Sequence, residues 1–228
     1  LAGKNLKSVH NVFDKGEPVM GFPLKGVQLE SEIEIIRDKG TGRNILGWLR
    51  AGKKPSKQFI VIGAHLDHVG KGRVGSRAKK NAKKKIHPGA DDNASGIAVL
   101  LEIAQFLADL KKRGLLKMNF DICFAAWSGE EIGLVGSAHY ARELEKTVKA
   151  SDENASLPII AYLNLDMVGR YKEKLTLHGI GSGEGWLPII EKANVPVGLN
   201  LNPQNDSHLP TDTTSFYSRG VPILSAFT

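Results

Sequence analysis

A single cysteine, Cys123, leaves no partner for an intrachain disulfide and no set for a Cys-rich zinc finger. No apolar run approaches the roughly 18 residues that a membrane span requires, and the longest uncharged stretches read as buried strands. The N-terminus lacks the charged-then-apolar start of a signal peptide. It also lacks an initiator Met: the chain opens Leu1-Ala2-Gly3, which predicts a product processed or excised from something longer. Acidic residues are missing from 71–85 (KGRVGSRAKKNAKKK), which hold eight Lys or Arg. The net charge of +7 belongs to that segment, since without those eight the chain has 23 basic residues against 24 acidic ones. A stretch so polar cannot bury a core and predicts a solvated loop. It could touch nucleic acid or another anionic surface by charge. It has no interleaved aromatics for base stacking and no helix-turn-helix context, so specific nucleic-acid binding is not expected.

What is present suffices for a large folded unit. The 228 residues, 41% of them hydrophobic, predict one domain, or one domain and a remnant of a second, able to bury a core without staples. Residues 1–28 show little periodicity and several Gly and Pro, and read as a connecting segment. Glu32–Arg37 (EIEIIR) alternates like a strand, and Lys39-Gly40-Thr41-Gly42 turns it into a second at Asn44–Arg50. Phe59–Gly63 (FIVIG) is a β-branched run of the kind covered on both faces. Asn93–Lys112 predicts a helix with Ile97, Leu100, Leu101, Ala104, Leu107 and Ala108 on one face and Asp92 or Asn93 as cap. Strands follow at Asn119–Trp127, Ile159–Leu165, Lys174–His178 and Val221–Phe227, and helices at Leu134–Lys149, Gly185–Ala193 and Thr213–Ser218. This alternation predicts an α/β fold with a mostly parallel central sheet flanked by helices.

Acidic and imidazole groups stand just past three of the buried strands. FIVIGA runs into His65-Leu66-Asp67-His68, FDICFAAW into Ser128-Gly129-Glu130-Glu131, and IIAYLNL into Asp166. A further set, Gly89-Ala90-Asp91-Asp92-Asn93, opens the long helix. Taken singly, an HxD tripeptide is usually a surface turn and an acidic pair before a helix is usually a cap. Asp166 is harder to explain that way, because a carboxylate following an apolar strand is costly to desolvate without a cation or hydrogen bonds. The carboxyl ends of parallel strands line the ligand crevice of such sheets, so the groups should converge. One imidazole among several carboxylates suits zinc or a similar divalent ion.

The segments HLDH (65–68), GADDNASG (89–96), SGEEIGLVGS (128–137) and NLDMVGR (164–170) resemble, in order, the signatures of the M28 family of zinc metallopeptidases. The resemblance covers roughly residues 30–228 and implies a zinc-exopeptidase sandwich fold with a pair of zinc ions. Carried over by position, it implies that His65 and Asp166 bind one zinc, Glu131 binds the other and Asp91 bridges both. Asp67 would orient His65 from behind, and Glu130 would be the general base that takes a proton from water. Ser128 stands where Ala is more usual before the Glu pair. The family's last ligand is a His in a segment like FFTGxH after the final core strand, and this chain ends at Ser225-Ala226-Phe227-Thr228. That departure leaves the second metal with Asp91 and Glu131 and predicts that one zinc dominates in the chain as it stands. The simpler expectation is a C-terminally truncated chain, cut short of this ligand and with little or no activity as it stands; His178 and His208 are the candidates for a surrogate. Some relatives carry a protease-associated domain ahead of the catalytic core, and residues 1–28 read as the exit from such an insert.

The reading that follows from the resemblance is a zinc-dependent exopeptidase acting on peptides, foremost an aminopeptidase. A carboxypeptidase or a glutaminyl cyclase of the same fold is the alternative within enzymes, and an inactive binding module the alternative outside them. Family habit and low cysteine usage lean towards an extracytoplasmic location.

Overall fold

The computed structural model describes residues 5–18, 20, 21, 26, 28, 30–34, 40–72, 76 and 85–228. The chain divides into two units, Leu1–Gly40 and Thr41–Thr228. In the first, helix α1 (Leu6–Phe13) begins at Asn5, whose Oδ1 accepts a hydrogen bond from the Lys7 N–H at 2.9 Å. A helix here departs from the connecting segment expected over 1–28. Leu6, Val9 and Phe13 do recur at helical spacing, but eight residues are too few for the period to stand out. Of the strand expected at Glu32–Arg37, residues 35–37 lie outside the described residues, and Glu32, Ile33 and Glu34 are exposed and irregular.

The second unit is built on a sheet of seven strands. These are β1 (Ile45–Leu49), β2 (Phe59–His65), β3 (Asp121–Trp127), β4 (Ile159–Leu165), β5 (Leu175–His178), β6 (Leu201–Gln204) and β7 (Ile223–Phe227). Their spatial order is β1-β3-β2-β4-β7-β5-β6. The centre, β3-β2-β4-β7, is parallel, as the sequence predicts. β1 is antiparallel to β3 and β5 antiparallel to β7, so the sheet is mixed towards its margins. Strand β6 is not foreseen by pattern: its LNPQ sequence lacks alternation and contains Pro203, which an edge strand tolerates.

Helices cover both faces. On one, α2 (Gly96–Lys112) lays Ile97, Leu100 and Ile103 against Ile62, Ala64 and Leu165. On the other, α3 (Val135–Lys149) and α5 (Thr213–Tyr217) bring Ala141, Leu144 and Phe216 onto Val61, Cys123, Trp127 and Ile223. Helix α4 (Trp186–Asn194) packs Trp186 and Ile190 against Leu177 and Leu224. The stretch Ala90–Lys112 is long and apolar enough to cross a membrane by composition, but its apolar stripe is the one that packs on β2 and β4. The run β3 is buried on alternate residues only, Cys123, Ala125 and Trp127 facing α3 while Ile122 and Phe124 are half-buried. Of the basic segment, residues 73–75 and 77–84 lie outside the described residues, and the expected solvated loop with them.

Two polar arrangements are built into this core. At the start of β3, Asp121 is 1% exposed and accepts from Arg50 at 2.8 Å, from the Ala51 N–H at 2.7 Å, and from the N–H and hydroxyl of Ser56. Burial pushes its pKa up, yet these donors outweigh that and hold the carboxyl well below the ordinary range. Towards the other end of the strands, Trp127 Nε1–H donates to the Tyr162 hydroxyl at 3.0 Å, and that hydroxyl donates to Asn164 Oδ1 at 2.6 Å. The relay satisfies buried polar atoms that the apolar core could not.

Candidate metal centre

Because β2, β3 and β4 run parallel, their C-terminal ends share one edge of the sheet. His65 is the last residue of β2, pairs with Trp127 across the ladder and is 2% exposed. Asp166 follows the last residue of β4, and the Glu130-Glu131 pair follows the end of β3. The sequence expectation that these groups converge is met: His65, Glu130 and Asp166 bring donor atoms within 4.8 Å of one another, and so do His68, Asp92 and Glu131.

The turn Ala90–Ser95 decides which aspartate joins them. Asp92 adopts φ −106° and ψ 93°, outside the helical region, and its bond to Asn93 is cis. Its Oδ1 lies 3.2 Å from His65 Nε2, while Asp166 Oδ1 lies 3.4 Å from the same nitrogen. Asp91, the residue that the resemblance nominated as the bridge, turns the opposite way. Its Oδ1 accepts from the Gly169 N–H at 2.9 Å and its Oδ2 pairs with Arg170 Nε at 3.0 Å. Asp92 therefore replaces Asp91 in the cluster. Neighbouring side chains in a non-helical turn diverge, and a DD pair read as text does not say which one faces inward. Asn93 locks the arrangement: its Nδ2 donates to the Leu165 carbonyl at 2.9 Å, and its Oδ1 accepts from the N–H groups of Gly96 and Met167. Glycine is required at 96, where a side chain would run into Asn93 Oδ1 and the Leu165 carbonyl.

Asp67 also differs from its expected role. The second ring nitrogen of His65, Nδ1, meets the backbone carbonyl of Asp67 at 3.1 Å and not its carboxylate. The carboxylate instead accepts from the N–H groups of Gly129 at 2.8 Å, Glu130 at 3.1 Å and Glu131 at 3.3 Å. Three successive amides aimed at one carboxylate form an anion cradle, and Gly129 at φ 76° supplies the left-handed residue it needs. Asp67 thus fixes His65 through its main chain and the two glutamates through its side chain.

The electrostatics are those of a site short of positive charge. Burial alone would push His65 down, but hydrogen bonding to Asp166 and the charges of Asp166, Glu130 and Asp212 raise it to about 9. Burial raises Glu130 to about 7, with Asp212, Asp166 and Glu131 adding to it and His65 opposing. Asp92 is raised by burial and then by Glu131. Asp212, which sequence reasoning missed, is 1% exposed behind the cluster and raised to about 6, by burial first. The Ser137 hydroxyl nearby opposes that shift while it is engaged with the Leu134 carbonyl and Ser215. An aspartate opening a short helix reads as a cap, so no sequence signal sets Asp212 apart.

The donors fit a divalent ion. Ligands sharing a tetrahedral zinc at about 2.0–2.2 Å lie about 3.3 Å apart, and the 3.2 and 3.4 Å spacings at His65 Nε2 bracket that value. Neither surrogate histidine takes part among the described residues. His178 ends β5, and because β5 runs antiparallel to β7 it is carried away from the edge where β4 and β7 end. His208 packs its ring edge-on to Tyr217 at 5.0 Å.

Known proteins resemble this chain in sequence and fold. An aminopeptidase of Pseudomonas aeruginosa is 35% identical over 143 residues, which are 63% of this chain and 21% of that protein. A probable zinc metalloprotease of Pyrenophora teres f. teres is 27% identical over 227 aligned residues, covering 87% of this chain and 44% of that one. The crystal structure of a zinc aminopeptidase from Bacillus subtilis superposes with a TM-score of 0.59 at 27% identity, over 81% of this chain and 39% of its own. The chain thus spans less than half the length of each of these proteins. The sequence pattern of peptidase family M28 runs from residue 44 to residue 228, through every segment that contributes to the cluster, and the chain belongs to that family.

Proposed function

We propose that this chain carries the catalytic centre of a zinc-dependent aminopeptidase that acts on peptides. The observation that carries the reading is the set of two carboxylates, Asp92 and Asp166, placed 3.2 and 3.4 Å from one buried imidazole nitrogen. In this reading His65, Asp92 and Asp166 hold one zinc ion, and Asp92 and Glu131 face a second. Zinc bound there supplies a Lewis acid for the scissile carbonyl and an acidified water. Glu130 is the proton carrier. Its carboxylate groups with His65 and Asp166, and the Asp67 cradle fixes its backbone, so a proton taken from water on one side can be handed to the departing amine. The Asp67 carbonyl, 3.1 Å from Nδ1 of His65, would hold the ring with Nε2 turned towards the ion. The aminopeptidase reading is supported by the printed names of the Pseudomonas and Bacillus relatives.

The test uses the protein in its full length, dialysed and assayed for zinc and for hydrolysis. Chromogenic amides of free amino acids should be cleaved and their N-acetylated forms left intact. Cleavage of N-blocked peptides from the C-terminus would replace the reading by a carboxypeptidase. Loss of ammonia from N-terminal Gln peptides without chain cleavage would replace it by a glutaminyl cyclase. Retention of no zinc would remove the metal from the reading altogether.

A further inference from the structure

On the Glu131 side, the metal cluster opens onto a cleft of about 230 Å³ whose walls include His68, Gly70, Lys71, Glu131 and Ile132. The cluster is sealed at His65, 2% exposed, and open here, where the side chains of His68 and Asp92 are 24% and 33% exposed. We infer that Lys71 and Lys85, at the lip of this cleft, make the centre select peptides that carry acidic side chains just after the scissile bond. The inference rests on the aminopeptidase reading above and names a substrate class for it.

Backbone bonds hold both lysines at the lip. Gly72 N–H donates to the Val69 carbonyl at 2.8 Å and closes a tight turn with Lys71 inside it. His87 N–H donates to the Gly70 carbonyl at 2.8 Å, which fastens the returning chain beside Lys71. Lys85 stands two residues before that bond. The ring of His87 tightens the junction: its Nε2 is 2.8 Å from the Ser76 hydroxyl and its Nδ1 is 3.1 Å from the same Gly70 carbonyl. A side chain on Gly72 would run into that ring. The junction lies against the cluster, since the rings of His87 and His68 are 6.4 Å apart and His68 Nδ1 is 2.6 Å from Glu131 Oε1.

The charge at this lip is uncommitted. Lys71 and Lys85 are exposed, and neither ammonium has an ion-pair partner among the described residues, whereas Lys146 and Lys149 are engaged by Glu143 and Glu145. The stretch 71–85 that they bound holds eight Lys or Arg and no acid, so its own sequence offers nothing to neutralise them. Of the acids in the cleft wall, Asp67 is taken up by the amides of 129–131 and Glu131 belongs to the cluster. An aminopeptidase holds the first residue of its substrate at the metal, and the rest of the peptide leaves by the open side. Here that path runs past two fixed cations. A carboxylate on the second or third residue is attracted to them and a basic side chain is repelled.

The test uses the protein in its full length, loaded with zinc, and two peptides of equal shape, Leu-Glu-Glu-Ala and Leu-Gln-Gln-Ala. At low salt the acidic peptide should show a KM about three- to twentyfold lower at similar kcat, the order expected of two exposed ion pairs. The gap should close at about 0.5 M salt, where such pairs are screened. Lys71→Gln combined with Lys85→Gln should raise KM for the acidic peptide to that of the neutral one, and the corresponding pair of Arg substitutions should keep the preference. Equal KM values in the wild type, or a preference that the paired Gln variant retains, would overturn the inference and leave the aminopeptidase reading standing. Equal KM values together with heparin retention that the Gln variant loses would assign the lysines to an anionic polymer instead. Failure to cleave either peptide would overturn the aminopeptidase reading and this inference with it.

Discussion

Asp67 Oδ1 accepts the backbone N–H of Glu130 at 3.1 Å, and so a residue that touches no reacting atom sets where the proton carrier stands. The same carboxylate holds Gly129 and Glu131, while the Asp67 carbonyl holds His65. Asp67→Ala should leave the fold intact and weaken zinc binding by about 10–100-fold, the usual loss when a supporting partner of a ligand is removed. Competition against a chelator measures it. An unchanged affinity would mean that the cradle holds the turn without tuning the site.

The two adjacent aspartates should separate cleanly. Asp92→Asn should abolish retention of zinc through desalting, since it removes the carboxylate between His65 and His68. Asp91→Asn should keep the metal and cost about 1 kcal/mol of stability, because its partner Arg170 is largely exposed. Zinc loss in the Asp91 variant at native fold would return the bridging role to that residue.

Glu130→Gln should retain the metal and lose at least about 10²-fold in peptide hydrolysis, the contribution typical of a positioned proton carrier. Elemental analysis and steady-state rates on one preparation decide it. A variant that lost zinc instead would exchange the roles of Glu130 and Glu131.

Far from the cluster, Asp121→Asn should lower unfolding free energy by about 3 kcal/mol at neutral pH, the order expected when a buried, hydrogen-bonded ion pair loses one member. The folded carboxyl is held below its unfolded value of about 3.9, so the contribution is full above that value and fades as pH falls towards the folded pKa. Denaturant melts at about pH 7 and about pH 3 should therefore show the gap between wild type and variant narrowing in acid. A gap that widens in acid would contradict the sign.

Much of the architecture was legible from local pattern. FIVIGAH, DICFAAW and IIAYLNL bury their apolar residues wherever the chain places them, and the stripe from Ile97 to Ile103 can only pack as a helix. Parallel strands then bring their C-terminal residues to one edge, which is why the sequence pattern alone groups His65, Glu130, Glu131 and Asp166. Helix α1 and strand β6 escaped because eight and four residues carry too little period, and β6 gains its place from pairing with β5.

By itself, then, the sequence determined the sheet, its covering helices, and the kind of donors gathered at its edge, since burial and periodicity are properties of short stretches of chain. The tertiary structure alone decided between Asp91 and Asp92, turned the Asp67 carboxylate to the amides of 129–131, and set His68 beside Glu131. Each of these is a matter of direction: a side chain in an irregular turn points where φ and ψ and its distant partners send it. Most of the partners lie about 60 to 80 residues away along the chain, as Asn93 does from Leu165 and His68 from Glu131, and only folding brings them within reach.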